Sequence, residues 1–288
     1  MSETAEPAGS VSPTIIPEGL DATLVLLRHG ETEWILEGLF QGQSETDLSP
    51  AGRRQAELAG LRLARPLASP TLPVPGGRPR EIVHSPLSRT AATARAVADA
   101  ITAEAEARGE DAASMIVRPE PGLLEIGQGE WEGVHQDEIA RRWPDILGGW
   151  RRRPWETWAP GGESPAQVQR RLRPALAGIL ERLGHDYPRG SLDRPQVHGY
   201  PGVGAHADQP WSVLVGHDGV FKVAMLTLFG LPLTHFWMFT LALTGITVIE
   251  LRGGRPVVRA ANLTEHLAPL LDERAVAAAE ERARSGAL

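Results

Sequence analysis

The sequence contains no cysteine. That excludes disulfides, thiol nucleophiles and cysteine-based zinc sites. Lysine is nearly absent: Lys222 is the single one, and no Gly-Lys-Ser or Gly-Lys-Thr loop exists. An ATP-dependent kinase built on such a loop is therefore disfavoured. Excess positive charge is also missing, with a formal net charge of -7. No electrostatic case arises for nucleic acid or an anionic membrane as partner. Met1 to Asp21 has four acidic residues, no basic residue and no apolar core, so it does not read as a signal peptide. The expectation is a disordered tail over residues 1–21 and a cytoplasmic location. Long unbroken apolar runs are lacking as well. Val223 to Ile249 carries no Asp, Glu, Lys or Arg, but Gly230, Pro232, His235 and Gly245 interrupt it. It reads as a buried helix, a turn, a short helix and a strand, not a membrane span.

What is present is a hydrophobic content of 42% in 288 residues, ample for one large α/β domain. Thr23-Leu24-Val25-Leu26-Leu27 runs directly into Arg28-His29-Gly30, the pattern of a buried parallel strand ending in a tight turn. Ser49-Pro50 reads as a helix cap with proline at the first helical position. Glu81 to His84 is a short strand, and Ser85-Pro86 is expected to open a second helix. Met115 to Val117 is a further strand, and Leu123 to Gly133 a glycine-punctuated loop. Ser164 and Gln167 form a capping box before an amphipathic helix carrying Val168, Leu172, Leu176, Ile179 and Leu183. Residues 184–210 read as a surface insertion. Trp211 to Gly216 is another apolar strand, and it too ends at a histidine, His217. Residues 246–260 read as an edge hairpin, and 271–288 as a helical extension. Strands alternating with helices indicate a single α/β domain over residues 22–270.

Ligands in open α/β sheets collect at the carboxyl ends of strands. Two histidines and Arg28 fall there, and Arg89 falls early in the second helix. Arginines, imidazoles and helix amides together suit a phosphoryl group, whose transition state spreads charge over its oxygens. A neutral imidazole can attack phosphorus, and a carboxylic acid must then protonate the leaving oxygen.

Arg28-His29-Gly30-Glu31-Thr32 resembles the signature of the histidine phosphatase superfamily, with its phosphoglycerate-mutase-like fold. Further segments follow in family order: Phe40 to Gln43, Asp47 to Ser49, Ser85 to Ala94, Leu123 to Gly133, Gly161 to Ser164, Val215 to His217, and Asn262 to Leu267. The resemblance implies a three-layer αβα sandwich with a mostly parallel central sheet. It implies His29 as nucleophile, Glu125 as proton donor and then base, and His217 as a cation stabilising the transferring group. Arg28 and Arg89 are the implied phosphate clamps, with Gln41, Gly42 and Asp218 beside the phosphate. No metal and no cofactor is implied. The implied partner is a small phosphorylated metabolite, such as a phosphosugar, phosphoserine, a phosphoglycerate derivative or a cobalamin-precursor phosphate. The oligomeric state stays open, a homodimer being one of the family's forms.

The Gly161-to-Ser164 turn resembles the phosphatase branches more than the mutases, so an acid-type phosphomonoesterase is the leading expectation. A cofactor-dependent phosphoglycerate mutase is the alternative. A phosphate-binding pseudoenzyme is the reading from another class. The arginines at 141, 142, 151, 152 and 153, with Trp143, Trp150, Trp155 and Trp158, read as a lid that attracts an anionic substrate rather than as a nucleic-acid surface. His185, His198 and His206 read as an exposed loop rather than a metal site. One departure concerns Ile35, where family members often carry an asparagine whose amide reaches the phosphate pocket. An alkyl side chain cannot donate that bond. Ile35→Asn is expected to tighten binding of inorganic phosphate, measured as its inhibition constant, and an unchanged constant would count against this reading.

Overall fold

The computed structural model describes residues 14–110, 115–186 and 209–273. β1 (Ala22–Arg28) is buried along nearly its whole length, as a strand covered on both faces must be. Thr32 caps the one-turn helix α1 (Glu33–Leu36). Ser49 accepts a bond from the Gly52 amide and starts α2 (Pro50–Ala64). β2 (Ile82–His84), α3 (Ser88–Ala107) and β3 (Val117–Pro119) follow. The arginine- and tryptophan-rich segment forms α4 (Gln136–Arg142) and α5 (Pro144–Arg152). α6 (Pro165–Leu183) begins at the Ser164–Gln167 capping box. β4 (Trp211–Gly216) leads into α7 (Asp218–Leu228), and β5 (Ile246–Arg252) with β6 (Arg255–Leu263) makes the expected hairpin.

The six strands form one sheet in the order β3-β2-β4-β1-β5-β6. The first four in that order run parallel, and the hairpin lies antiparallel along one edge. Side chains alternate across β1. Leu24 and Leu26 join an apolar cluster with α6 and α7, while Val25 and Leu27 join a second with α2 and α3. The result is the expected three-layer sandwich. β1 and β4 are central neighbours whose register pairs Arg28 with Gly216. His29 and His217 therefore leave the sheet side by side at its carboxyl edge.

Two expectations need correction. Ser85-Pro86 does not open α3, which starts at Ser88. The Ser85 hydroxyl is used elsewhere, and α3 is capped from outside: the Glu45 carboxylate accepts from the Ser88 amide at 2.9 Å. The expected tail over 1–21 is not free of structure throughout. Ile16, Leu20 and Asp21 are buried, and Asp21 accepts a bond from the Gly253 amide at 2.6 Å. Burying those side chains against the hairpin offsets the entropy of ordering them. Residues 1–13, most of the 184–210 insertion and residues 274–288 lie outside the described residues. Among the described residues no helix is long and apolar enough to cross a membrane.

The turn after β1 sits directly on the start of α2. Ser49 donates from its amide to the Glu31 carbonyl at 2.9 Å, and a methyl group added at Gly52 would overlap that same carbonyl oxygen. Gly52→Ala is therefore expected to push the His29–Glu31 turn off the helix. The cost should be about 1–3 kcal/mol, as for overpacking elsewhere, read as a lower midpoint in denaturant unfolding with an unchanged slope.

Candidate active site

His29 is buried at the end of β1, and its Nδ1 lies 2.7 Å from the Gly30 carbonyl oxygen. A carbonyl only accepts, so Nδ1 carries the proton and Nε2 holds the lone pair. Burial, reinforced by Arg28 and Arg89, holds this imidazole well below the ordinary histidine range. His29 is thus neutral and oriented with a free nucleophilic nitrogen. His217 packs edge-on against it, ring centroids 5.1 Å apart. Its Nε2 lies 2.9 Å from the Ser85 hydroxyl, which is why that hydroxyl does not cap α3. Burial, reinforced by the neighbouring ring of His29 and by Arg89 and Arg28, holds His217 well below the histidine range too. This direction applies to the protein with no anion bound. Two arginines and a second imidazole nearby oppose any further positive charge until an anion arrives.

Arg28 donates from Nη1 to the Leu241 carbonyl at 2.7 Å. The loop carrying Leu241 is tied down in turn: Ala242 donates to Asn262 Oδ1 at 2.6 Å, and Thr244 donates to the His29 carbonyl at 3.3 Å. Arg89 reaches across from α3, donating to the Gly42 and Ser44 carbonyls at 2.8 Å each. Burial pushes Arg89 down to about 10, against the opposing pull of Glu125, Glu45 and Glu132, so it stays charged at neutral pH. Arg28 Nε, Arg89 Nε and His217 Nδ1 are buried with no hydrogen-bond partner among the described residues. Buried donors left unpaired cost about 1–3 kcal/mol each. Unpaired donors of this kind suit an oxyanion ligand.

Glu125 sits opposite, where its carboxylate accepts from three backbone amides: Ile126 at 2.8 Å, Val220 at 2.9 Å and Gly219 at 3.1 Å. Two of those amides belong to the first turn of α7. A Cβ at Gly219 would meet Glu125 Oε1 at 2.7 Å, so glycine is what lets the carboxylate approach. Burial, and then the charge of Asp218, raise the Glu125 carboxyl above the ordinary range despite these bonds.

Of the remaining expected site residues, Gly42 acts through its carbonyl on Arg89. Gln41 accepts from the Thr32 hydroxyl at 3.0 Å, bracing the turn after His29. Asp218, expected beside the phosphate, is the first residue of α7. Its carboxylate is ion-paired with Lys222 at 2.5 Å, and an ionised carboxylate has no proton to donate to a phosphate oxygen. Ile35 is partly buried in α1, and its backbone amide bonds the Thr32 hydroxyl. Among the described residues no group of three metal-ligating side chains occurs. His185 is exposed and pairs with Asp186, while His198 and His206 lie outside the described residues.

Several supporting residues were not singled out from the sequence. Glu163, read as a turn residue, accepts from the Gly127 amide, Gln43 and both arms of Arg171 at 2.8–2.9 Å. Arg171 also donates to the Glu125 carbonyl at 2.8 Å. This hub fixes the loop that carries Glu125. Glu132, read as a competing loop carboxylate, accepts from the amides of Gln43 and Gln128 and from the Ser44 hydroxyl. It thereby holds the very segment whose carbonyls grip Arg89. Glu132→Ala is expected to loosen Arg89 and weaken phosphate or vanadate binding by roughly tenfold, in line with one charge-assisted bond, as measured by titration. Unaltered affinity would show that the 42–44 segment holds its shape without Glu132.

Comparison with known proteins agrees with this geometry. The model of the histidine phosphatase superfamily (branch 1) matches residues 24–187 and 203–264. Phosphoserine phosphatase 1 of Hydrogenobacter thermophilus is 30% identical over 244 residues, covering 85% of this chain and 93% of that protein. A probable phosphoglycerate mutase of an Enterobacter species is 30% identical over 258 residues, covering 86% and 96%. Among solved structures, a mycobacterial glucosyl-3-phosphoglycerate phosphatase in complex with VO3 superposes with a TM-score of 0.63 at 26% identity, covering 84% of this chain and all of that one. With the paired histidines, the two arginines and the buried glutamate falling within the matched residues, the chain belongs to the histidine phosphatase superfamily, branch 1.

Proposed function

We propose that this protein hydrolyses phosphomonoesters of small metabolites through a phosphohistidine at His29. The observation that carries the reading is the set of three unpartnered buried nitrogens beside a neutral, oriented His29. In the first step His29 Nε2 attacks phosphorus as the P–O bond to the leaving group breaks. Glu125 gives its proton to the departing oxygen. In the second step water attacks phosphorus as the N–P bond breaks and its electron pair returns to His29, Glu125 takes the water proton, and inorganic phosphate leaves. Arg28, Arg89 and His217 stabilise the charge on the equatorial oxygens in both steps. These side chains supply the charge without a metal ion, so turnover is expected to persist in EDTA. Phosphoserine and glucosyl-3-phosphoglycerate, named for two similar proteins, belong in the first substrate panel.

The likeness to a mutase favours one second reading: return of the phosphoryl group to a second hydroxyl. Hydrolysis of p-nitrophenyl phosphate, compared with isomerisation of 3-phosphoglycerate primed by 2,3-bisphosphoglycerate, separates the two. Acid-labile label on His29 after rapid quench is expected with either. Its absence, with ligand binding intact, would favour a pseudoenzyme.

His29→Ala should lower kcat by more than about a thousandfold. The pH profile has a definite sign. His29 must be neutral, and its lowered pKa keeps it so below the ordinary histidine range, so activity extends into acid. Glu125 must be protonated at the start, and its raised pKa keeps the proton available above the ordinary carboxyl range. Activity should therefore fall on the alkaline side as Glu125 loses its proton. kcat/KM against pH checks this, and an alkaline limb that survives in Glu125→Gln would remove Glu125 from the acid role.

A further inference from the structure

The only lysine of the chain lies on α7, the helix whose first amides hold Glu125. Lys222 sits one turn after Asp218 on α7, its side chain 6% exposed, with Nζ 2.5 Å from Asp218 Oδ2. Above it are two aromatic faces, Trp237 at 4.7 Å and Phe236 at 5.6 Å from ring centroid to Nζ. Trp150 of α5 packs against both rings. A point charge on a flexible stem fits between a carboxylate and a ring face.

Asp218 is the first residue of α7, and the next two amides hold Glu125. Around Glu125 the charged and titratable groups are few. Arg89 attracts it from α3, and Arg171 of α6 bonds its backbone carbonyl while neutralising Glu163. His217 precedes α7, and Asp218 with Lys222 completes the set. Among the described residues no side-chain cation bonds the Glu125 carboxylate itself; its three bonds there all come from backbone amides.

Resting on the acid role given to Glu125 above, we propose that Asp218 and Lys222 are a pair of positioning residues that tune this acid. Asp218 loads negative charge beside the carboxyl group, which favours its protonated form. Lys222 limits that load, so that the proton is still given up to the leaving group. The pair acts through charge, and neither member touches the reacting atoms. The direction in which burial and Asp218 move Glu125 is consistent with this role.

The test is the alkaline limb of kcat/KM against pH in the full chain, with p-nitrophenyl phosphate as probe. Asp218→Asn should move the limb to lower pH, and Lys222→Met should move it to higher pH. Each shift should be about half a unit or more, as for a neighbouring charge partly screened by water. Lys222→Arg should keep the limb where the native protein has it. Opposite shifts from two substitutions in one ion pair are not what simple loosening would produce. If Lys222→Met does not fold, Asp218→Asn and Lys222→Arg still decide the matter. A limb unmoved in Asp218→Asn overturns the proposal, as does a shift in the same direction for both neutral variants. Complete loss of activity in Asp218→Asn with native melting also overturns it, because Asp218 would then be a catalytic residue. Glu125→Gln is the control. If the limb persists there, the acid assignment itself fails. If it is lost there but unmoved in Asp218→Asn, only the tuning role fails.

Discussion

Two guanidinium groups, one buried and one partly buried, gripped by carbonyl oxygens rather than by carboxylates are the arrangement on which this site depends. Arg28 is held by Leu241, and Arg89 by Gly42 and Ser44. A carbonyl fixes a guanidinium in place without cancelling its charge. A carboxylate in the same position would have neutralised it and left little field for a substrate anion. The carboxylates of the region stand one layer back. Glu132 holds the segment that grips Arg89, and Glu163 with Arg171 holds the loop that carries Glu125. The net charge of -7 thus coexists with two site arginines whose side-chain bonds, among the described residues, go to carbonyl oxygens.

The same separation divides the two halves of the chemistry. On the cationic side, burial and the arginines keep both imidazoles neutral, which leaves His29 a lone pair to use. On the opposite side, burial and Asp218 favour the protonated form of Glu125. Groups whose environments push their proton affinities apart are how one pocket supplies a nucleophile and an acid together. The sheet makes this possible. β1 and β4 are adjacent and parallel, so their carboxyl ends deliver His29 and His217 together, and the start of α7 carries amides to Glu125.

Much of this was legible in the linear sequence. Both histidine-ending strands, the caps at Ser49 and Ser164, the amphipathic face of α6 and the edge hairpin follow from local patterns of burial and turn chemistry. Those signals are short-range, so neighbouring residues suffice to express them. The boundary at α3 was misread for the same reason. Ser85-Pro86 has the local form of a cap, but its hydroxyl serves His217, which lies 132 positions away in the chain, and Glu45 caps the helix instead.

The sequence by itself determined the fold class, the alternation of strands and helices, and the residues around which a phosphoryl site could form. Only the tertiary structure decided how those residues are charged and held. Asp218 reads from its position as a phosphate neighbour, yet it is paired with Lys222. Glu163 reads as a turn residue and Glu132 as a competitor to Glu125, yet Glu132 holds the segment that grips Arg89 and Glu163 holds the loop that carries Glu125. His217 reads as a cation, and in the free protein burial and the arginines oppose its charge. The physical reason is common to all of them. A residue's type fixes which bonds and charges it can offer, whereas burial and partners brought in from distant parts of the chain fix which of them it uses.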